Sequence, residues 1–488
     1  MSLTAKVGAG RTATIRSNSP FRRSSKRLAM VVAMLLVAGG ASLWAAYRHV
    51  GHTPGELMDY LERRLAGHPR GMAVALPVIT EIRKWLDEPA PRDRRGQNFS
   101  VSPPPLLHLA PPGAQANPAA ETTAGRILRV GPQESIRSIA EAARLARDGD
   151  TVEIAAGEYR ADVATWLQKK LTIRAVGGNA RLFGDGKSAE NKAIWVIRNG
   201  DFDISNIDFI GARVADRNGA GIRFEKGHLR IRNCLFWGNE NGILTAGGKG
   251  RQDAVLEIEN SEFAYNGVGD GMSHHLYVGA IAVLKVSGSY FHHANVGHLL
   301  KSRAAYNEIT YNRLSDEGGG RASYELEFPN GGIAHVIGNI IQQNRRTENS
   351  TLISYGAEKY IWPENRLYLA SNTLVNDHPY GGAFLRVEPG ADGVVSSNNL
   401  LVGKGRYHVP NGLESNNDIH AGWDIFNQAA RFDYRLNEAG RQLAYQALPA
   451  GATGRAMFPP RKEYVHARQT RALAGHPAYP GALQAISP

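Results

Sequence analysis

With 488 residues, 54 of them Gly and a single Cys, and with 42% hydrophobic residues, the chain is too long for one compact core. The same numbers exclude a disulfide-built scaffold, a polytopic membrane protein and a wholly disordered chain. The net charge of +12 sits mostly at the front, because residues 1–125 hold 16 Lys and Arg against 8 Asp and Glu, leaving +4 on the other 363. The long C-terminal part therefore has no basic stripe, and a nucleic-acid partner is not expected.

Seven cations (Lys6, Arg11, Arg16, Arg22, Arg23, Lys26, Arg27) precede an uncharged run from Leu28 to Tyr47. Twenty apolar residues at 1.5 Å each match the roughly 30 Å hydrocarbon thickness of a bilayer. The basic side stays inside, so residues 1–27 are expected in the cytoplasm, 28–47 in the inner (cell) membrane as a single-pass anchor, and the rest on the periplasmic or extracellular side. The 27-residue basic leader favours retention over cleavage as a signal peptide. Residues 48–88 carry a helical pattern broken by Pro69 and Pro77. Residues 89–124 hold eight prolines, a composition that stays extended and serves as a spacer.

Beyond residue 125 the chain repeats itself. FDISNIDF (202–209), LRIRNCLF (229–236) and LEIENSEF (256–263) recur at a period of 27 residues. Degenerate copies follow at 284–291, 308–314, 335–341, 367–374 and 394–401. They place a turn residue at Asn206, Asn233, Asn260, Gly288, Asn312, Asn339, Asn372 and Asn398. Self-similarity at such a period marks a solenoid. The alternation is two-residue, with no helix between copies, so the unit is strands and turns. Second strands read at 221–224, 242–246, 275–279, 298–304, 323–328, 352–358 and 383–388. Asn at each bend suits the left-handed conformation, and stacked coils would align the amides in a ladder. Cys234 falls on an inward position and reads as a small core residue.

This segment, 125–430, resembles the right-handed parallel β-helix, pectate lyase-like superfamily, an all-β solenoid. The stretch SIRSIAEAARLARDGDTVEIAAGEY (135–159) resembles its opening: an amphipathic helix that caps the exposed first coil, a turn at Asp148–Asp150, then a strand. FDYRLNEAG (432–440) resembles the closing turn within a C-terminal segment, 431–488, that is otherwise irregular.

Chemistry concentrates between 270 and 332, where His274, His275, His292, His293 and His298 lie within 25 residues, followed by Lys301, Arg303, Glu325 and Glu327. Strict alternation sends His275, Tyr277, Lys301, Arg303, Glu325 and Glu327 outward on successive coils. The resemblance implies action on an acidic polysaccharide by β-elimination or C5 epimerisation. Lys301 or Arg303 would then be the base and the other cation the partner of the uronate carboxylate. Tyr277 or His275 would be the acid. His298, Glu325, Glu327, Asn330 and Tyr355 would bind substrate, with Ca2+ as the cofactor such enzymes often use on the carboxylate. The chain carries neither the paired-aspartate Ca2+ pattern, nor the Arg-Pro motif, nor a DPHD-type epimerase motif. The His pairs lack metal-site spacing, so no metal ligands are assigned. Hydrolysis by paired carboxylates, a non-catalytic carbohydrate-binding or envelope-assembly module, and a purely structural ion-pair ladder remain alternatives.

Overall fold

The computed structural model describes residues 77–78, 80–81, 125–246, 252–345, 347, 349–410, 414–446 and 459–484. Among them no helix is long and apolar enough to cross a membrane. The expected anchor 28–47, the leader 1–27 and the spacer 89–124 lie outside the described residues, as does nearly all of 48–88.

From Ile127 the chain winds into a parallel β-solenoid of about 10 turns, the architecture the repeat predicts. A complete coil contributes two short strands to one long sheet, here sheet A, and one strand to a second, sheet B. Sheet A has 21 strands and sheet B has 10, and every pairing within them is parallel. Asp201–Ser205, His228–Arg232 and Val255–Glu259 are successive first strands of sheet A. Ile207–Ile210, Leu235–Trp237 and Glu262–Ala264 are the second strands that follow them.

The bend between those two strands needs one residue with positive φ. Asn206, Asn233, Asn260, Gly288, Tyr311, Gly338, Ser371 and Asn398 supply it, with φ between 49° and 67°. The side-chain ladder lies one residue further on, running Cys234, Ser261, Ser289, Asn312, Asn339, Asn372, Asn399 and Asp418, with amides at its four Asn rungs. The sequence merged these positions: Asn312, Asn339 and Asn372 are ladder rungs, not bend residues. Asn339 shows why amides recur. Its Oδ1 accepts from the Asn312 backbone N–H (2.9 Å) and side-chain Nδ2 (3.0 Å), and its own Nδ2 donates to Ile309 O (2.7 Å). One amide thus saturates three polar groups that water cannot reach.

Apolar side chains stack likewise. Phe209, Phe236, Phe263 and Phe291 form a column with ring centroids 5.1, 4.6 and 4.6 Å apart. Sheet B makes room for it with Gly221 and Gly242, since a Cβ on Gly242 would stand 2.7 Å from Phe263. On the solvent side of sheet A, charges alternate between coils: Arg230 lies 2.6 Å from Asp201 and 3.5 Å from Glu257, which pairs with Lys285 at 3.2 Å.

At the N-terminal end the helix is Ile139–Leu145, shorter than the expected stretch. Ser138 Oγ accepts from Glu141 N, and the Asp162 carboxylate accepts from Ile139 and Ala140 N. Its buried Ile139, Ala142 and Ala143 join the main core. The C-terminal segment departs from its irregular reading. Lys462–Val465 and Gln469–Ala472 form an antiparallel hairpin, and the tail lies along sheet A through Arg461 N to Tyr311 OH (3.1 Å), Ala482 N to Thr373 Oγ1 (3.0 Å) and Arg468 to Glu262 (3.5 Å).

The two Asn roles are separable by urea unfolding. Asn339→Ala strands several buried groups and is expected to cost about 2–4 kcal/mol. Asn206→Gly, at a bend, is expected to change stability by less than about 0.5 kcal/mol. Equal effects would refute the division.

Candidate functional site

Sheet B strands do not alternate strictly. His298 pairs with Tyr324, but the next registered pairs are Leu300 with Leu326 and Lys301 with Glu327. The same skip separates Asn241–Ala220 from Ile243–Ile222. Two consecutive residues therefore point inward on each strand, as Leu299 and Leu300 do, both fully buried in the core. One outward column reads Tyr277, Lys301, Glu327, Ser354, Arg386, His408; its neighbour holds His298 and Tyr324.

This step corrects three assignments. His275 is fully buried: its Nε2 donates to His292 O (2.8 Å), and its Nδ1 accepts from Asn266 Nδ2 (3.1 Å). Burial pushes its pKa down to about 3, so it is a neutral structural group and not an acid facing substrate. Glu325 also faces the interior, where burial and nearby Asp316 hold its carboxyl well above the usual range. Tyr355 is fully buried and donates to Gly332 O. Asn330 braces a loop, donating to Lys359 O at 2.9 Å.

The structure does bring together Tyr277, His298, Lys301, Arg303 and Glu327, and adds Glu358, which sequence reasoning missed as a site residue. Lys301 Nζ lies 3.0 Å from Glu327 Oε2 and 2.9 Å from Glu358 Oε1, while Arg303 Nη2 meets Glu358 Oε2 at 2.6 Å. The Arg303 guanidinium stands over the Tyr277 ring at 5.0 Å. His298 stacks on Tyr324 with centroids 5.1 Å apart.

His274, also missed, packs against His298. Its Nδ1 accepts from the His298 backbone N–H (2.9 Å) and lies 2.8 Å from His298 Nδ1. A proton on His298 Nδ1 leaves Nε2 as an acceptor, 3.2 Å from Glu327 Oε2; the other tautomer donates from Nε2 to that carboxylate. Burial, reinforced by His274, Lys301 and Arg303, holds the His298 pKa well below its ordinary value, so the imidazole is neutral. Burial likewise raises Glu327 despite Lys301. Burial would raise Glu358 too, but the hydrogen bonds from Lys301 and Arg303 outweigh it and bring it below the ordinary carboxyl value. The two carboxyl groups are thus pushed apart, as acid–base chemistry requires.

The same face continues into a cleft of about 1200 Å3 lined by Arg386, Lys404, Arg406, His378 and His408, with Glu388 as the one carboxylate among the described residues that line it. Among the described residues no cluster of three or more His, Cys, Asp or Glu is arranged to hold a metal ion. No family model matches the chain and no curated protein matches it. Fold and site define the class instead: a parallel β-helix protein with a cation–carboxylate–imidazole cluster on one sheet face, next to a basic cleft.

His275 gives a pH test. Its folded pKa, about 3, lies below its unfolded value of about 6.5. Its contribution is therefore complete above about pH 6.5 and is lost as pH falls toward about 3, at up to about 1.4 kcal/mol per pH unit. Denaturant unfolding across that range is expected to show a slope shallower by about that amount in His275→Leu. An unchanged slope would mean that the imidazole protonates freely in the folded state.

Proposed function

We propose that the chain is a membrane-anchored, extracytoplasmic β-helix protein that acts on an acidic polysaccharide by β-elimination or C5 epimerisation. The observation that carries this reading is the meeting, on one outward face, of two cations and a neutral imidazole. The basic cleft further along that face supports a polymeric anion over a monomer. In this reading residues 28–47 tether the protein, and the helix Ile139–Leu145 closes the first coil.

Both reactions begin by removing the proton at C5, next to the uronate carboxylate. Lys301, Arg303 or both pair with that carboxylate and stabilise the charge that develops on it. Whichever of Lys301 and Arg303 is not on the carboxylate accepts the C5 proton, or His298 Nε2 does once the bound chain opens the groove to it. Glu327, with its raised pKa, or the Tyr277 hydroxyl then protonates the leaving oxygen, or returns a proton to the opposite face in epimerisation. Tyr277, Tyr324 and the exposed Tyr380 offer rings for sugar stacking.

A non-catalytic binding module is the second reading, favoured by the fact that both cations already hold carboxylate partners. The full-length chain in detergent, incubated with uronate polymers, separates the two. β-Elimination yields an unsaturated uronate detected by its ultraviolet absorbance, and epimerisation incorporates solvent deuterium at C5. His298→Gln and Lys301→Gln are each expected to lower the rate by about 10²–10⁴-fold, measured well below the melting temperature of each variant. Binding without absorbance or exchange would refute catalysis and leave the binding module.

A further inference from the structure

Glu358 sits in the place a substrate carboxylate needs. Its two oxygens bridge Lys301 Nζ at 2.9 Å and Arg303 Nη2 at 2.6 Å, from 57 and 55 residues away. The backbone carrying it is fixed on every side. Glu358 N donates to Pro329 O (2.9 Å), Asn330 Nδ2 to Lys359 O (2.9 Å), Tyr360 OH to Glu388 O (2.7 Å) and Trp362 Nε1 to Arg303 O (3.1 Å). Tyr360 fits closely against Gly356 (φ +84°), where any Cβ would meet its ring at 2.3 Å. Lys359 holds φ at +128°, a conformation that side-chain-bearing residues rarely adopt and that persists only where surroundings enforce it. The fold thus spends backbone strain to present this one carboxylate.

The side chain itself is much less confined. Glu358 is 44% exposed, whereas Lys301 and Arg303 are 11% and 17% exposed. A rotation about its own bonds takes Glu358 into water while the cations stay in place. Arg303 keeps one more donor: Nη1 is buried and makes no hydrogen bond among the described residues. An incoming group that replaced Glu358 and added an oxygen beside the carboxylate would satisfy it.

We infer that Glu358 is a resident stand-in for the substrate's carboxylate, displaced on binding, and that it makes the site selective for uronate chains over small anions. This deepens the reading given under Proposed function and rests on it. A uronate carboxylate spans Lys301 and Arg303 as Glu358 does, and the adjoining ring or hydroxyl oxygen takes Nη1. A free anion would gain only what Glu358 already provides. A chain that also engages Arg386, Lys404 or Arg406 brings extra binding energy to the exchange, so the resident carboxylate acts as a built-in competitor.

Calorimetric titration of the full-length chain with trimers of galacturonate, mannuronate and glucuronate, and with their methyl esters, tests this. Glu358→Gln is expected to tighten binding of the acid trimer that wild type binds by about fivefold, the equivalent of one exposed ion pair. The methyl ester is expected to be unaffected, and Glu358→Asp to stay near wild type. Thermal melting of each variant confirms that it is folded. If wild type binds an acid trimer and Glu358→Gln binds it equally or more weakly, the stand-in role is overturned while the site reading survives. If no trimer binds wild type or Glu358→Gln, the site reading fails and the stand-in role falls with it.

Discussion

Parallel stacking is the constraint on which everything else depends. Each side chain stands about 4.8 Å above its counterpart in the coil below, so a residue is judged chiefly by what lies directly over and under it. Inside, that rule rewards like on like: the phenylalanine column, and amides whose acceptor and donor serve adjacent coils. Outside, it turns short strands into long columns, so residues some 25–30 positions apart become neighbours. The cluster at Tyr277, Lys301 and Glu327 exists because three strands place one residue each in the same column.

The same rule explains what the sequence made legible. The 27-residue period and the alternating strands predict the solenoid, since each coil repeats the same burial. Asn206, Asn233 and Asn260 read correctly as bends. Asn312, Asn339 and Asn372 misled because two adjacent positions favour Asn for different reasons, one for its tolerance of positive φ and one for its amide. Where Tyr311 or Gly338 takes the bend, composition alone does not separate the roles. His275 and Glu325 were misplaced by strict alternation. The inward double step was nonetheless written in adjacent apolar pairs: Ile194–Trp195, Leu299–Leu300, Leu352–Ile353 and Phe384–Leu385. Glu358 ends the stretch 352–358 read as a strand, but that strand stops at Tyr355 and the carboxylate stands on the loop that follows, so the pattern does not point to it. The tail's Ala- and Pro-rich composition hides Tyr464 and Ala482, whose burial depends on a surface built elsewhere in the chain.

The ion pairs of the two sheets differ in what they leave over. On sheet A, Arg230 and Lys285 meet Asp201 and Glu257 at an open surface, where each pair contributes little and asks for nothing more. On sheet B the charges are half withdrawn from water, and two buried nitrogens, Arg303 Nη1 and His298 Nε2, make no hydrogen bond among the described residues. Buried polar groups left incomplete are costly, and in the proposed function the oxygens of a bound chain would complete these two.

That cost also bears on the unliganded protein. The Lys301 and Arg303 side chains are 11% and 17% exposed, and removing cations from water without a counter-charge is strongly destabilising. In the proposed function, a groove that takes an anion faces this problem whenever the anion is absent. An internal carboxylate on an enforced loop solves it, and its exposure decides whether the solution is permanent. Glu327, nearly enclosed, is a fixture; Glu358, open to solvent on one side, is the partner that can leave. If Glu358 is the stand-in inferred above, stability of the empty groove and selectivity of the occupied one follow from the same residue, because the group that neutralises the cations is also the one a ligand must displace.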